Sequence, residues 1–128
     1  MSRGITYAIT AAVFLLVDGT WLALVAQPMF MKEVGPLLRS EPNLFAALAF
    51  YLLYPAGLTA LAVLPSDDIK SAGLRGAILG LTAYATFDLT NLAVLNGWTV
   101  KIAVFDIAWG TFVSGLAAAI GNRFGPRI

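Results

Sequence analysis

The sequence predicts an all-α polytopic membrane protein with four transmembrane helices. Two observations carry this. Four apolar runs of about 20 residues, the length that crosses a bilayer, alternate with short polar stretches. Of the 128 residues, 59% are hydrophobic and 12% charged, where soluble domains carry about 25% charged residues. The mean hydropathy of +0.84 leaves more apolar surface than a small soluble core can hide. We therefore read 1–128 as a single four-helix domain whose first partner is the lipid bilayer.

The first span is read at about 5–27, interrupted by Asp18. It is too long for a signal-peptide h-region and carries an acid, so it is expected to be retained. A polar connection over 28–43 follows, in which Met29, Phe30 and Met31 favour a short interfacial segment. The second span is read at 44–64; Pro55 removes a backbone hydrogen bond and is expected to kink it near Tyr51. Asp67 and Asp68 suit a turn or a helix cap. The third span, 72–95, is entered through Gly76-x-x-x-Gly80, a spacing that permits close helix packing. Asn96-Gly97 is a tight-turn signal, and Trp98 suits the interface. The fourth span is read at 100–120, with a polar tail from Asn122.

Four spans place both termini on one side. That side collects Arg3, Lys70, Arg75, Arg123 and Arg127, against Lys32, Arg39 and Lys101 on the other. The balance predicts cytoplasmic N and C termini.

Asp18-Gly-Thr-Trp-Leu-Ala23 and Asp88-Leu-Thr-Asn-Leu-Ala93 share the pattern Asp-x-Thr-x-Leu-Ala in odd-numbered spans. Either two helical hairpins are duplicated, or a Leu/Ala-rich background produces the match by chance. Each span also carries a polar or amphipathic pair at i, i+3: Asp18/Trp21, Tyr51/Tyr54, Asp88/Asn91 and Asp106/Trp109, with Tyr84 one turn before Asp88. Counting 1.5 Å per residue from the outer helix ends puts all four pairs roughly 10 Å deep. An acid facing lipid costs about 2.5–3.5 kcal/mol, so these faces are expected to turn inward as one polar layer.

The candidate binding residues are thus Asp18, Trp21, Tyr51, Tyr54, Tyr84, Asp88, Asn91, Asp106 and Trp109. No catalytic residue is assigned. His and Cys are absent, which removes thiol nucleophiles and the usual zinc or copper ligands; no metal and no cofactor is expected. No basic block is present to bind nucleic acid. Glu33 and Glu41 read as solvated loop charges.

Tyr51-Leu-Leu-Tyr-Pro-Ala-Gly57, Tyr84-Ala-Thr-Phe-Asp-Leu-Thr-Asn-Leu-Ala93, Asn96-Gly-Trp98 and Phe105-Asp-Ile-Ala-Trp-Gly-Thr111 resemble the bacterial four-helix family called domain of unknown function 2177. The resemblance implies a small integral membrane protein and implies no chemistry. Three functions compete. The first is proton- or cation-linked binding or transport of a small solute, with a homo-oligomer expected because four helices are few to enclose a pathway. The second is an accessory or structural subunit of a larger membrane complex. The third, a lipid-modifying membrane enzyme, ranks last because no Arg/Lys clamp accompanies the acids.

Overall fold

The computed structural model describes residues 2–126. Met1, Arg127 and Ile128 lie outside the described residues, and with them the Arg127 counted in the charge balance. The chain forms four helices long and apolar enough to cross a membrane: α1 (Ser2–Leu37), α2 (Leu44–Val63), α3 (Ile69–Val94) and α4 (Val100–Phe124). No strand occurs among the described residues. Ser2 and Pro126 meet at one end of the bundle, here the terminal end. The segments 38–43 and 95–99 form the other, the loop end.

Local chemistry sets the helix starts. The side chains of Asn43, Asp68 and Thr99 accept hydrogen bonds from the backbone N–H groups of Ala46, Ser71 and Ile102, three residues on in each case. Each cap satisfies an amide that would otherwise be orphaned at a helix start. Gly97 (φ +89°) carries the turn between α3 and α4, a conformation that favours glycine.

α1 departs from the expected boundaries. The segment 28–43 is not a polar connection. The helix continues through Pro28 to Val34 and closes on a 3₁₀ turn at Gly35–Leu37. A π-helical turn at Leu22–Ala26 makes this feasible: the Gln27 N–H reaches back five residues to the Leu22 carbonyl. The widened turn just ahead of Pro28 relieves the constraint a proline places on the preceding turn. At 36 residues α1 is about 54 Å long, well beyond the ~30 Å of a hydrocarbon core. Its last turns reach across to α4. Glu33 is accordingly not a solvated loop charge: it pairs with Lys101 at 3.8 Å and accepts a hydrogen bond from the Thr99 hydroxyl at 3.2 Å.

Pro55 is carried inside α2, and a second π-helical turn follows it at Thr59–Val63. The Thr59 hydroxyl donates to the Pro55 carbonyl at 2.8 Å, so the register adjusts below the proline.

The distribution of side chains is that of a membrane bundle. Thr10, Asp88 and Ser114 are fully buried, whereas Phe45 is 88% exposed and Leu53 74%. Packing energy in such a bundle comes from close backbone approach, because lipid is as apolar as leucine. The α3–α4 seam achieves this with small residues. A Cβ at Gly76 would stand 2.6 Å from both the Ala118 Cβ and the Ser114 carbonyl oxygen. One at Gly80 would collide with the Gly110 carbonyl and Ser114, and one at Gly110 with the Tyr84 ring. The Gly76/Gly80 face is therefore consumed within the chain. Phe14, Leu58, Val113 and Ala117 form a fully buried apolar cluster where α1, α2 and α4 converge.

Gly80→Val is expected to cost about 1–3 kcal/mol, since it overpacks a seam with no room to yield. Gly57→Ala, where nothing lies within 4 Å, is expected to hold or raise stability. Thermal denaturation in lipid nanodiscs measures both.

Candidate functional site

Asp18 lies in the middle of α1, 8% exposed. Its carboxylate accepts hydrogen bonds from helices α2 and α4. The Tyr51 hydroxyl donates to Oδ2 at 2.5 Å, and the Trp109 indole N–H donates to Oδ1 at 2.7 Å. Short hydrogen bonds to a charged acceptor are the strong class. Trp109 also stacks face to face on Trp21, with centroids 4.2 Å apart and planes within 5°. One acid therefore ties three helices together, and its own helix supplies the ring that fixes the indole.

One turn below Tyr51, the Tyr54 hydroxyl shares a 2.6 Å hydrogen bond with the Ser114 hydroxyl. Its ring meets Phe14 at 5.2 Å and the edge of Tyr84 at 6.0 Å. Tyr84 is seated against Gly110, which explains why that position on α4 carries no side chain.

Asp88 and Asp106 adjoin each other across the α3–α4 seam. Asp106 is partly buried; Asp88 is 0% exposed, no N–H or hydroxyl donor is bonded to either of its oxygens, and the Asp106 carboxyl is the group within hydrogen-bonding reach. The Trp98 indole N–H approaches Asp88 without meeting hydrogen-bond geometry and is itself unpartnered. Buried polar atoms without partners cost about 1–3 kcal/mol each and are rare enough to need a cause. Asn91, one turn further along α3, is partly exposed and stands apart from this group.

These residues border a cavity of about 1160 Å³ at the loop end. Asp18, Tyr51, Tyr54, Tyr84, Asp106 and Trp109 form its deep part, and Trp21 lies on its wall. Phe50 and Phe87 line its sides, and the end of α1 with the 38–43 segment frames its upper part, including Phe30, Met31 and Arg39. Below it, the Phe14–Leu58–Val113–Ala117 cluster fills the bundle. Beyond that cluster a smaller cavity of about 320 Å³ sits at the terminal end, lined by Thr6, Ser66, Asp67 and Asn122 among others.

Of the nine residues singled out in the sequence, seven line one cavity, Asp88 is buried behind its Asp106 wall, and Asn91 is off it. Sequence reasoning missed Ser114 and the α1 extension. Ser114 was findable: Asp106, Gly110, Ser114 and Ala118 repeat every four residues along one helix face. The extension was masked by Pro28 and by the charges after it.

The fold and the cavity together define a four-helix integral membrane protein with an acid-bearing cavity inside the bundle. The chain belongs to the family DUF2177, described as "Predicted membrane protein", whose model matches residues 4–123. No curated protein and no solved structure matches the sequence.

Tyr51→Phe removes one of the two donors to Asp18 and is expected to cost about 1–3 kcal/mol. Combined with Asp18→Asn, it is expected to cost less than the sum of the two single changes. Equilibrium unfolding in mixed micelles reads that coupling, and strict additivity would show that the contact does not form in the folded protein.

Proposed function

We propose that this protein binds a small solute in the loop-end cavity and carries it across the membrane in a proton- or cation-linked cycle. The observation that carries the reading is the continuity of the cavity: it runs from the loop end down to Asp18 and Asp106. Groups that would otherwise face a closed core are thereby placed against a volume large enough for a solute. Intramembrane acids facing a cavity are expensive, and their default meaning is a ligand or ion path.

The arrangement of two cavities around one apolar cluster suits a carrier open to one side. The large cavity is the open vestibule, the Phe14–Leu58–Val113–Ala117 cluster is the closed gate, and the small terminal-end cavity is the exit held shut. With the termini in the cytoplasm, as the charge balance favours, this is the state open away from the cytoplasm, in a bacterial inner membrane. The π-helical turns at Leu22–Ala26 and Thr59–Val63 lie above and below the gate on α1 and α2 and supply places where the helices can change register. The accessory-subunit reading loses one of its motives, because the small-residue face of α3 is spent on α4 within the chain.

The chain contains no cysteine, so single cysteines are clean probes. In proteoliposomes, Ala83→Cys on the cavity wall is expected to react with a water-soluble maleimide within minutes. Val113→Cys in the gate is expected to react at least tenfold more slowly, yet to react as the gate cycles. Protection of Ala83→Cys in folded protein would remove the cavity and the proposal with it. Complete inertness of Val113→Cys would leave a receptor and exclude a carrier.

A further inference from the structure

We propose that the occupant of the loop-end cavity is a lipophilic organic cation: a permanently charged or protonated amine-type group on an apolar, aromatic-compatible body. This rests on the reading of the cavity as a solute site and goes further by naming the class of solute. Three separate features of the cavity support this assignment.

The first is charge. Asp18 and Asp106 face the cavity, and no Lys or Arg lies among its deep residues. The basic side chain on its lining, Arg39, sits in the 38–43 segment near the loop end. Lys101, at the start of α4, is held by Glu33. The deep end of the cavity therefore presents acids with no basic side chain of the chain beside them.

The second is the unmet hydrogen-bonding capacity behind the wall. Asp18 is well supplied, with two donors. Asp88 is fully buried beside Asp106, and no N–H or hydroxyl group of the chain is bonded to either of its oxygens. A cation seated against Asp106 makes the potential at both carboxyls more positive and so stabilises their ionised forms together. A bare metal ion fits less well, because among the described residues no three acidic groups come close enough to hold one. A larger, diffuse cation in the cavity that Asp18 and Asp106 both line needs no coordination shell.

The third is the wall itself. The lining around the acids is rich in aromatic rings: Trp21, Trp109, Tyr51, Tyr54, Tyr84 and Phe87 all border the cavity. Ring faces attract cations by about 0.5–2 kcal/mol each, more when water is excluded, and choline-type groups are recognised by such cages. An anionic solute is repelled by the ring faces and meets the acids at a penalty.

The test uses two ions of the same shape and opposite charge, tetraphenylphosphonium and tetraphenylborate, titrated onto the full-length protein in nanodiscs, with empty nanodiscs as background. Quenching of the stacked Trp21/Trp109 fluorescence and calorimetry read binding. Saturable binding of the phosphonium is expected, at least tenfold tighter than the borate, and weakened at least tenfold by Asp106→Asn. The comparison on wild-type protein stands even if that variant folds poorly. Tighter binding of the borate, competing for the same Trp signal, would overturn the cation assignment while leaving the solute cavity intact. Binding of neither ion, with Ala83→Cys still reactive to maleimide, would overturn the cation assignment alone; with Ala83→Cys protected, both readings fall together.

Discussion

The bundle depends on Asp18 being satisfied by two other helices at once. In water, a carboxylate's hydrogen bonds are replaced by solvent at little cost; in a bilayer interior there is no such replacement. Once α1 carries an acid at mid-depth, the chain must bring donors to it. Tyr51 comes from α2 and Trp109 from α4. That requirement fixes the relative rotation of three helices before any apolar packing is considered, since the two donors approach different oxygens. The fourth helix is placed by a different force. α3 closes on α4 along a stripe where glycine meets glycine, serine and alanine, so its position follows from backbone contact rather than from polar pairing.

These two devices leave an asymmetry that produces the cavity. The α3–α4 seam is tight, and α1 packs on α4 with Thr10 against Gly121, but nothing comparable joins α2 to α3 at the loop end. There the two helices are lined with Phe50, Tyr51 and Tyr54 on one side and Ala83, Tyr84 and Phe87 on the other, and the space between them stays open. Large aromatic groups prop the helices apart near the loop end, while the fully buried cluster around Phe14 and Leu58 draws the bundle together lower down. The extension of α1 then frames the opening. It is pinned to α4 by Glu33 with Lys101 and Thr99, and by Phe30 edge-on to Trp98.

Much of this was legible in the sequence, for reasons that are physical. Mid-span acids at i, i+3 from an aromatic or amide group announce a helix face that cannot look at lipid, so the polar layer around Asp18, Tyr51 and Asp106 could be placed by depth alone. The four helices followed from run length. What could not be read was where one helix stops, because Pro28 and the charges of 32–41 look like a loop unless a π-helical turn is foreseen, and a π turn has no sequence signature. Nor could depth show that Asn91 would stand off the site. Asn91 and Asp88 share a helix turn, yet the tight α3–α4 seam rotates α3 so that Asp88 is wholly buried and Asn91 partly exposed. That rotation is set by Gly76 and Gly80 two and three turns away, a long-range consequence that no local pattern contains.

The acids differ in how they are satisfied, and the difference bears on the choice between glue and function. A structural hydrogen-bond network is expected to be closed, because an open one costs more than an apolar core would. Asp18 meets that standard, with both oxygens bonded, and its role in holding the helices needs no ligand. Asp88 does not: both oxygens are buried without an N–H or hydroxyl donor, and their polar neighbours are the Asp106 carboxyl and the Trp98 indole. A chain selected only for rigidity would gain stability by replacing Asp88 with a small apolar residue of the kind that fills the rest of this seam. The neighbouring Asp106 carboxyl lines the cavity, so the proposed solute site is the route by which a ligand would reach this pair.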